Sequence, residues 1–225
     1  MHKVCYLDHN WLILKNNNEN VRRYLWKMTG VVYDLGCGIR PYENDIRTVA
    51  ADYIGVDWSN TYHGFAGDIT ADINHPLPIA DGAADTVVSF QVLEHLHEPQ
   101  TMLTEAFRIL KHGGNIVLTV PFQWWVHEAP YDYYRYTRHG LEYMLAKAGF
   151  VNIEVQETGG FWAMWFLKLN YQTAKIVQGP RPLRWIVRSV LLPLWISDQL
   201  IGPFLDRFWD APQETAGYIA VANKG

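Results

Sequence analysis

Short apolar runs recur along the chain, each closed by a turn signal. Residues 31–35, Val-Val-Tyr-Asp-Leu, run into Gly36-Cys37-Gly38, and residues 53–57, Tyr-Ile-Gly-Val-Asp, end on a carboxylate. Further runs lie at 85–90 and 114–120. Stretches this short and this apolar predict strands buried on both faces. Between them, residues 101–110 carry Leu103, Ala106, Phe107 and Leu110 at helical spacing, which predicts an amphipathic helix. After an aromatic and polar loop at 121–136, the pattern predicts a helix at 137–148 and a strand at 150–157. The alternation Tyr218-Ile219-Ala220-Val221 predicts a closing strand at 215–223. Strands alternating with helices in this order predict an α/β fold, a mostly parallel, doubly wound sheet with helices on both faces.

The pattern changes between Gly160 and about residue 210, where Trp, Leu and Ile dominate. Gly179-Pro180, Pro182, Pro193 and Gly202-Pro203 interrupt this stretch and predict several short helices. The organisation expected is a single domain over 1–225. It comprises an N-terminal helical extension at 1–29, a core at 30–158, an apolar helical insertion at 159–212 and the closing strand at 213–225.

A length of 225 residues suits one large domain with a real core. With 49% hydrophobic and 19% charged residues the chain reads as folded rather than disordered. The formal net charge of -4 supplies no basic field for a phosphate backbone, so no nucleic-acid partner is expected. Only Cys5 and Cys37 occur, which excludes a disulfide framework and suggests a reducing compartment. Residues 1–20 lack an apolar signal core, so a cytoplasmic location is expected.

The strongest chemical constellation is Asp34-Leu35-Gly36-Cys37-Gly38 followed, one strand later, by Asp57. In an open parallel sheet, ligands sit beyond the carboxyl ends of the strands, and a first turn without side chains lets backbone approach the ligand. A carboxylate ending the second strand can accept both hydroxyls of a ribose. The phosphate-binding GxGxxG pattern is absent, since Arg40-Pro41 follows Gly38, and this argues against a nicotinamide site. With only about fifteen residues before the second strand, the helix after this turn should be shortened.

These motifs, VYDLGCG at 32–38, YIGVD at 53–57, GDI at 67–69, FQVLEHL at 90–96 and LKHGGNIVLTVP at 110–121, resemble those of the class I S-adenosylmethionine-dependent methyltransferases, in the family with a methyltransferase type 11 domain. The resemblance covers about 31–157 and the closing strand. It implies a Rossmann-like seven-stranded sheet whose last strand is antiparallel, and S-adenosylmethionine as cofactor, released as S-adenosylhomocysteine. By this likeness Asp34 and the backbone of Gly36 and Gly38, with Cys37 between them, hold the methionine end. Asp57 and Trp58 lie at the ribose, Asp68 meets the adenine amino group with Ile69 against the ring, and Gln91 lines the cavity near the sulfonium.

An oxygen acceptor loses a proton on methylation, so a nearby base helps. His127, in the loop after the fourth long apolar run, is the candidate. The string that follows, including Asp132, Tyr134 and Arg135, reads as a surface for a polar cyclic acceptor such as a sugar, or as a brace in which Asp132 pairs with Arg135. The expected function is methyl transfer to an oxygen of a small-molecule or glycan acceptor. A quinone or phenol acceptor, or a non-catalytic cofactor-binding partner protein at a membrane, are the alternatives. His95, His97 and Glu98 sit close together but lack a second separated ligand pair, so no metal is expected; Glu94 and His95 should orient the loop beneath the cofactor.

Between 160 and 205, Lys168, Lys175, Arg181, Arg184 and Arg188 face a single acid, Asp198, leaving -8 on the rest of the chain. Basic charge, four tryptophans and aliphatic residues coincide there, as in helices lying in a membrane interface. A lid over the acceptor site or a homodimer surface would use the same composition.

Overall fold

The computed structural model describes residues 1–59, 66–209, 211 and 213–225. In chain order the elements are α1 (Trp11–Tyr24), β1 (Gly30–Leu35), α2 (Glu43–Ile46), β2 (Ala50–Asp57), β3 (Ile69–Thr70), β4 (Ala84–Phe90), α3 (Pro99–Ile109), β5 (Leu110–Pro121), α4 (Arg138–Ala148), β6 (Phe150–Glu157), α5 (Phe161–Ala174), α6 (Arg181–Asp206) and β7 (Gly217–Lys224). Short 3-10 turns lie at Leu25–Lys27 and Leu93–His95. The seven strands form one sheet in the order β3-β2-β1-β4-β5-β7-β6. Strands β1 to β5 pair in parallel, while β7 runs antiparallel to β5 with Val117 opposite Val221. The order reverses at β1 and β4, which is where a doubly wound sheet opens a crevice for a ligand.

Each apolar run became a strand, and both its faces are covered. One face packs Leu35, Val87, Ile116 and Leu118 against Leu103 and Ala106 of α3 and Leu141 and Leu145 of α4. The other face packs Val32, Val88, Val117 and Val221 with Tyr24, Met28 and Ile46. Helix α4 starts at Thr137, whose side-chain oxygen accepts from the Gly140 N–H, and stops at Gly149 with φ +105°. The expected short helix after the glycine turn is α2, four residues long.

The chain divides into two compact units. One comprises Met1, residues 21–156 and 217–225; the other comprises residues 2–20 and 157–216. The N-terminal segment is therefore split: residues up to 20 fold with the insertion, and those from 21 with the sheet. The expected end of the insertion at 212 lies outside the described residues.

Within the second unit the several short helices expected are two, α5 and a 26-residue α6 that runs through Pro193 and Pro203. Pro182 sits in its first turn, where a missing N–H costs nothing. Close packing of α5 on α6 offsets the interior prolines: a Cβ on Gly202 would stand 2.9 Å from Ala163 Cα, so only glycine permits the crossing. Trp195 is buried, and its Nε1 donates to Thr173 Oγ1 at 3.0 Å.

Candidate active site

A cavity of about 220 Å³ opens at the carboxyl ends of β1, β2 and β4. Its floor is the turn after β1. Gly36 (φ +81°) and Cys37 return their N–H groups to the Val56 carbonyl at 2.8 and 3.2 Å, and Gly38 (φ +51°) donates to Asp57 Oδ2 at 2.7 Å. A Cβ on Gly38 would meet nothing within 4 Å, so this backbone faces open space and a ligand can approach it. Asp57 Oδ1 accepts from the Trp58 N–H at 2.8 Å. Both carboxylate oxygens thus accept from backbone amides, and the side chain lines the cavity.

Asp57, Trp58, Gly36, Gly38 and Gln91 line this cavity, as expected of them. Gln91 holds φ +57°, a left-handed conformation rare for a side-chain-bearing residue, and its N–H donates to the Thr119 carbonyl at 2.9 Å. A strained residue at the mouth of β4 marks a site rather than a plain turn.

Four residues of the expected set stand elsewhere. Asp34 is buried beneath the turn, where the Tyr53 hydroxyl donates to Oδ2 and Oδ1 has no partner. Burial pushes its carboxyl up to about 7 against the lowering pull of that hydroxyl. Cys37 is buried against β2, beside Gly55, and burial raises its thiol to about 12, so it is inert. Asp68 accepts from the Gly55 N–H at 2.8 Å and from Arg40 at 2.9 Å, bracing the sheet edge, and Ile69 packs on the core. The acid that lines the cavity beyond β3 is Asp72, with Ile73 and Asn74. Its Oδ1 accepts from the Asn74 N–H at 3.0 Å. Two Asp-Ile pairs lie near β3, at 68–69 and 72–73, and only the second follows the end of the strand.

The aromatic loop after β5 is laid over the 3-10 turn that follows β4. Tyr133 and Tyr134 donate their N–H groups to the Glu94 carbonyl at 2.9 and 3.3 Å, and the Tyr136 hydroxyl donates to the Leu93 carbonyl at 2.8 Å. Asp132 and Arg135, read from the sequence either as an acceptor surface or as a brace, pair with each other and hold this loop. Asp132 Oδ1 and Oδ2 accept from Arg135 at 2.6 and 2.8 Å, and Oδ2 also accepts from the His127 N–H at 2.8 Å. Burial alone would raise the Asp132 carboxyl, yet Arg135 and the His127 amide hold it at about 2. Arg135 also donates to the Trp125 carbonyl at 2.9 Å. Tyr134 is exposed and stands off the cavity, its hydroxyl 3.4 Å from the His97 carbonyl. The loop presents Glu128, Tyr131 and Tyr133 to the cavity in their place, and Tyr131 meets the Trp58 ring edge-on at 5.3 Å.

His127 stands behind the wall. Its ring lies edge-on to His95 at 4.9 Å, and burial lowers its pKa. His95 and His97 line the cavity themselves. Hydrophobic periodicity locates these loops but does not distinguish inward from outward side chains within them.

Polar backbone at the turn, a fixed carboxylate at the end of β2, and an apolar and aromatic slot made by Ala71, Ile73, Leu96 and Trp58 fit an adenosyl cofactor with an amino-acid tail. Comparison with known proteins agrees. Residues 33–118 match the methyltransferase domain family. A probable S-adenosylmethionine-dependent methyltransferase of Mycolicibacterium smegmatis is 35% identical over 96 residues, 40% of this chain and 37% of that protein. The match thus spans little more than a third of the curated relative. Two solved structures share the fold. A phosphoethanolamine N-methyltransferase 2 of Haemonchus contortus, in complex with phosphomonomethylethanolamine and S-adenosylhomocysteine, has a TM-score of 0.59 at 16% identity, over 93% of this chain and 53% of that one. A SAM-dependent methyltransferase from Archaeoglobus fulgidus has a TM-score of 0.59 at 18% identity, over 95% and 94% of the two chains.

Proposed function

We propose, from the premise that this chain belongs to the class I S-adenosylmethionine-dependent methyltransferases, that it methylates an oxygen of a small-molecule or glycan acceptor. The observation that carries the cofactor assignment is Asp57, a carboxylate at the end of β2 that is held by the Gly38 and Trp58 amides and lines the cavity where a ribose would lie. Gly38 receives the amino-acid tail, and Asp72 with Ile73 takes the adenine end, a role moved from Asp68 and Ile69 because those residues do not line the cavity.

When bound, S-adenosylmethionine supplies a methyl group made electrophilic by its sulfonium. What the chain adds is alignment, which can supply much of the barrier reduction, and exclusion of water by the aromatic loop. An acceptor hydroxyl must shed its proton, and His95 and Glu128 are the proton acceptors at the cavity wall. His127 acts through His95, against whose ring it packs. Trp58, Tyr131 and Tyr133 form a flat-sided wall suited to stacking on a sugar or an aromatic ring.

The acceptor is met at a membrane surface in this reading. No described helix is long and apolar enough to cross a membrane. Support for peripheral contact comes from α6, which exposes Leu183, Ile186, Val190, Leu194, Ile201 and Phe204. These recur every three or four residues, with one turn skipped, and so form a stripe. A lipid-linked glycan precursor is the acceptor that this unit and the aromatic wall favour together.

Calorimetric titration with S-adenosylmethionine and S-adenosylhomocysteine tests the cofactor site, and Asp57→Ala is its control. Micromolar binding that the substitution reduces on the order of 100-fold is expected, two hydrogen bonds to a charged acceptor contributing roughly 3 kcal/mol. A folded wild-type protein that binds neither compound sinks the reading. Cofactor binding without release of S-adenosylhomocysteine across sugars, lipid-linked glycans and phenols would leave a binding protein in place of an enzyme.

A further inference from the structure

Beneath the aromatic loop lies a carboxylate that methyl transfer does not employ. Glu94 is fully buried, and neither of its carboxylate oxygens has a hydrogen-bond partner. A carboxyl held out of water is ordinarily kept protonated, hydrogen-bonded, paired, or bound to a metal. Two imidazoles stand beside it. His95 Nε2 is 3.8 Å from Glu94 Oε1, and one donor atom from each of Glu94, His95 and His127 lies within 4.8 Å of the other two.

Both imidazoles are oriented from behind. His95 Nδ1 is 2.6 Å from the Tyr131 carbonyl, and His127 Nδ1 is 3.3 Å from the Trp125 carbonyl and 3.3 Å from Asp132 Oδ2. For His95 this is the outer arrangement of metal-bound histidines, in which one ring nitrogen donates to a carbonyl or carboxylate and the other is left as a ligand; at His127 the Arg135 Nη2 also stands 3.4 Å from Nδ1.

We propose that Glu94, His95 and His127 bind a divalent transition-metal ion at the wall of the cavity. Two imidazoles and one carboxylate suit zinc, iron(II) or manganese(II) better than magnesium or calcium, which favour all-oxygen sites. Ligand atoms about 2.0–2.2 Å from a shared ion stand roughly 3.5 Å apart, so the three atoms need to close by about 1 Å. Three protein ligands leave positions open. His95 lines the cavity, and Glu128 Oε2 lies 3.9 Å from its Nε2. An ion there can take an acceptor oxygen as a further ligand and lower its proton affinity, leaving Glu128 to receive the proton. That catalytic use rests on the methyl-transfer reading; the binding of the ion does not.

The sequence drew attention to the neighbouring His97 and Glu98, and missed the cluster because His127 comes from a loop more than thirty residues away. The test is titration of the chelator-stripped full chain with Co²⁺, read by its visible absorption, and with Zn²⁺, read by calorimetry. Saturation at one ion per chain is expected. His95→Ala, His127→Ala and the nearly isosteric Glu94→Gln should each weaken binding on the order of 100-fold, since loss of an outer partner alone costs 10–100-fold. Where a histidine variant fails to fold, Glu94→Gln decides. No saturable binding by the folded wild type, or unchanged affinity in the folded variants, overturns the proposal. Titration of the same metal-free protein with S-adenosylhomocysteine separates the two readings, because either result can fail alone.

Discussion

Asp34 is a carboxyl kept from water for the sake of a turn. It is 2% exposed, its Oδ2 accepts from Tyr53 and its Oδ1 is unpartnered. An unfolded aspartate releases its proton near 3.8, whereas burial holds the folded group to about 7. Across that window the native chain keeps a proton the unfolded chain has lost, so the contribution of Asp34 to stability falls as pH rises. It is undiminished below the unfolded pKa and reaches its lowest level above about 7. Asp34→Asn, which keeps an acceptor for Tyr53, should remove this slope. Relative to wild type the variant gains up to about 4 kcal/mol between roughly pH 4 and pH 8, measured by urea denaturation at each pH. Parallel slopes in the two proteins would mean that Asp34 ionises freely. At this scale the sequence spoke where chemistry leaves one option: Gly38 faces open space at positive φ and Asp57 ends a strand, so both were legible. For Asp68, Asp132 and Arg135 local pattern leaves the role open, because a charged residue in the right loop looks functional until its partner is seen.

At the scale of elements, helix α5 shows how a segment can be capped from a distance. No side chain at Gly160 caps it, yet Asp206, the last residue of α6, accepts from the Trp162 and Ala163 N–H groups at 2.8 and 3.1 Å. A carboxylate at a helix N-terminus satisfies orphan donors and meets the positive end of the dipole. A Cβ on Gly160 would stand 2.4 Å from that carboxyl group, so glycine is what admits it. Asp206→Ala should cost about 1–2 kcal/mol and speed amide exchange in the first turn of α5, measured by hydrogen exchange. Unchanged exchange at Trp162 and Ala163 would show that the cap carries no weight. This tie between residues 44 positions apart could not be read from local pattern. The strands could, because their apolar runs have a length and flanking turns that a helix lacks. Helix α6 could not, because proline rules treat the isolated helix, and the close approach of α5 at Gly202 belongs to tertiary structure.

For the molecule as a whole, charge and apolar exposure divide along the chain. Residues 160–205 carry five basic groups against Asp198, while the remainder is acidic. Both acids of α6 are turned inward: Asp198 is buried, and Asp206 caps α5. What α6 shows to water is therefore Arg181 and Arg184 together with the apolar stripe, while Arg188 pairs with Asp8 at 2.8 Å, and Trp185 is 70% exposed. A second copy seated on this helix would bring cations toward cations, whereas an anionic membrane meets both features at once. The full chain should co-sediment with vesicles containing phosphatidylserine and much less with neutral ones. Arg184→Ala should weaken partitioning about fivefold, since one cation near such a surface contributes about 1 kcal/mol. Ile186→Ser with Val190→Ser should weaken it more than tenfold, because each aliphatic side chain contributes roughly 1.5–3 kcal/mol on leaving water. Raised salt should reverse the first contribution and spare the second. Vesicle binding that ignores lipid charge and survives the double substitution would remove α6 from the contact. A dimer in solution that the same double substitution dissociates would assign the stripe to a second chain instead.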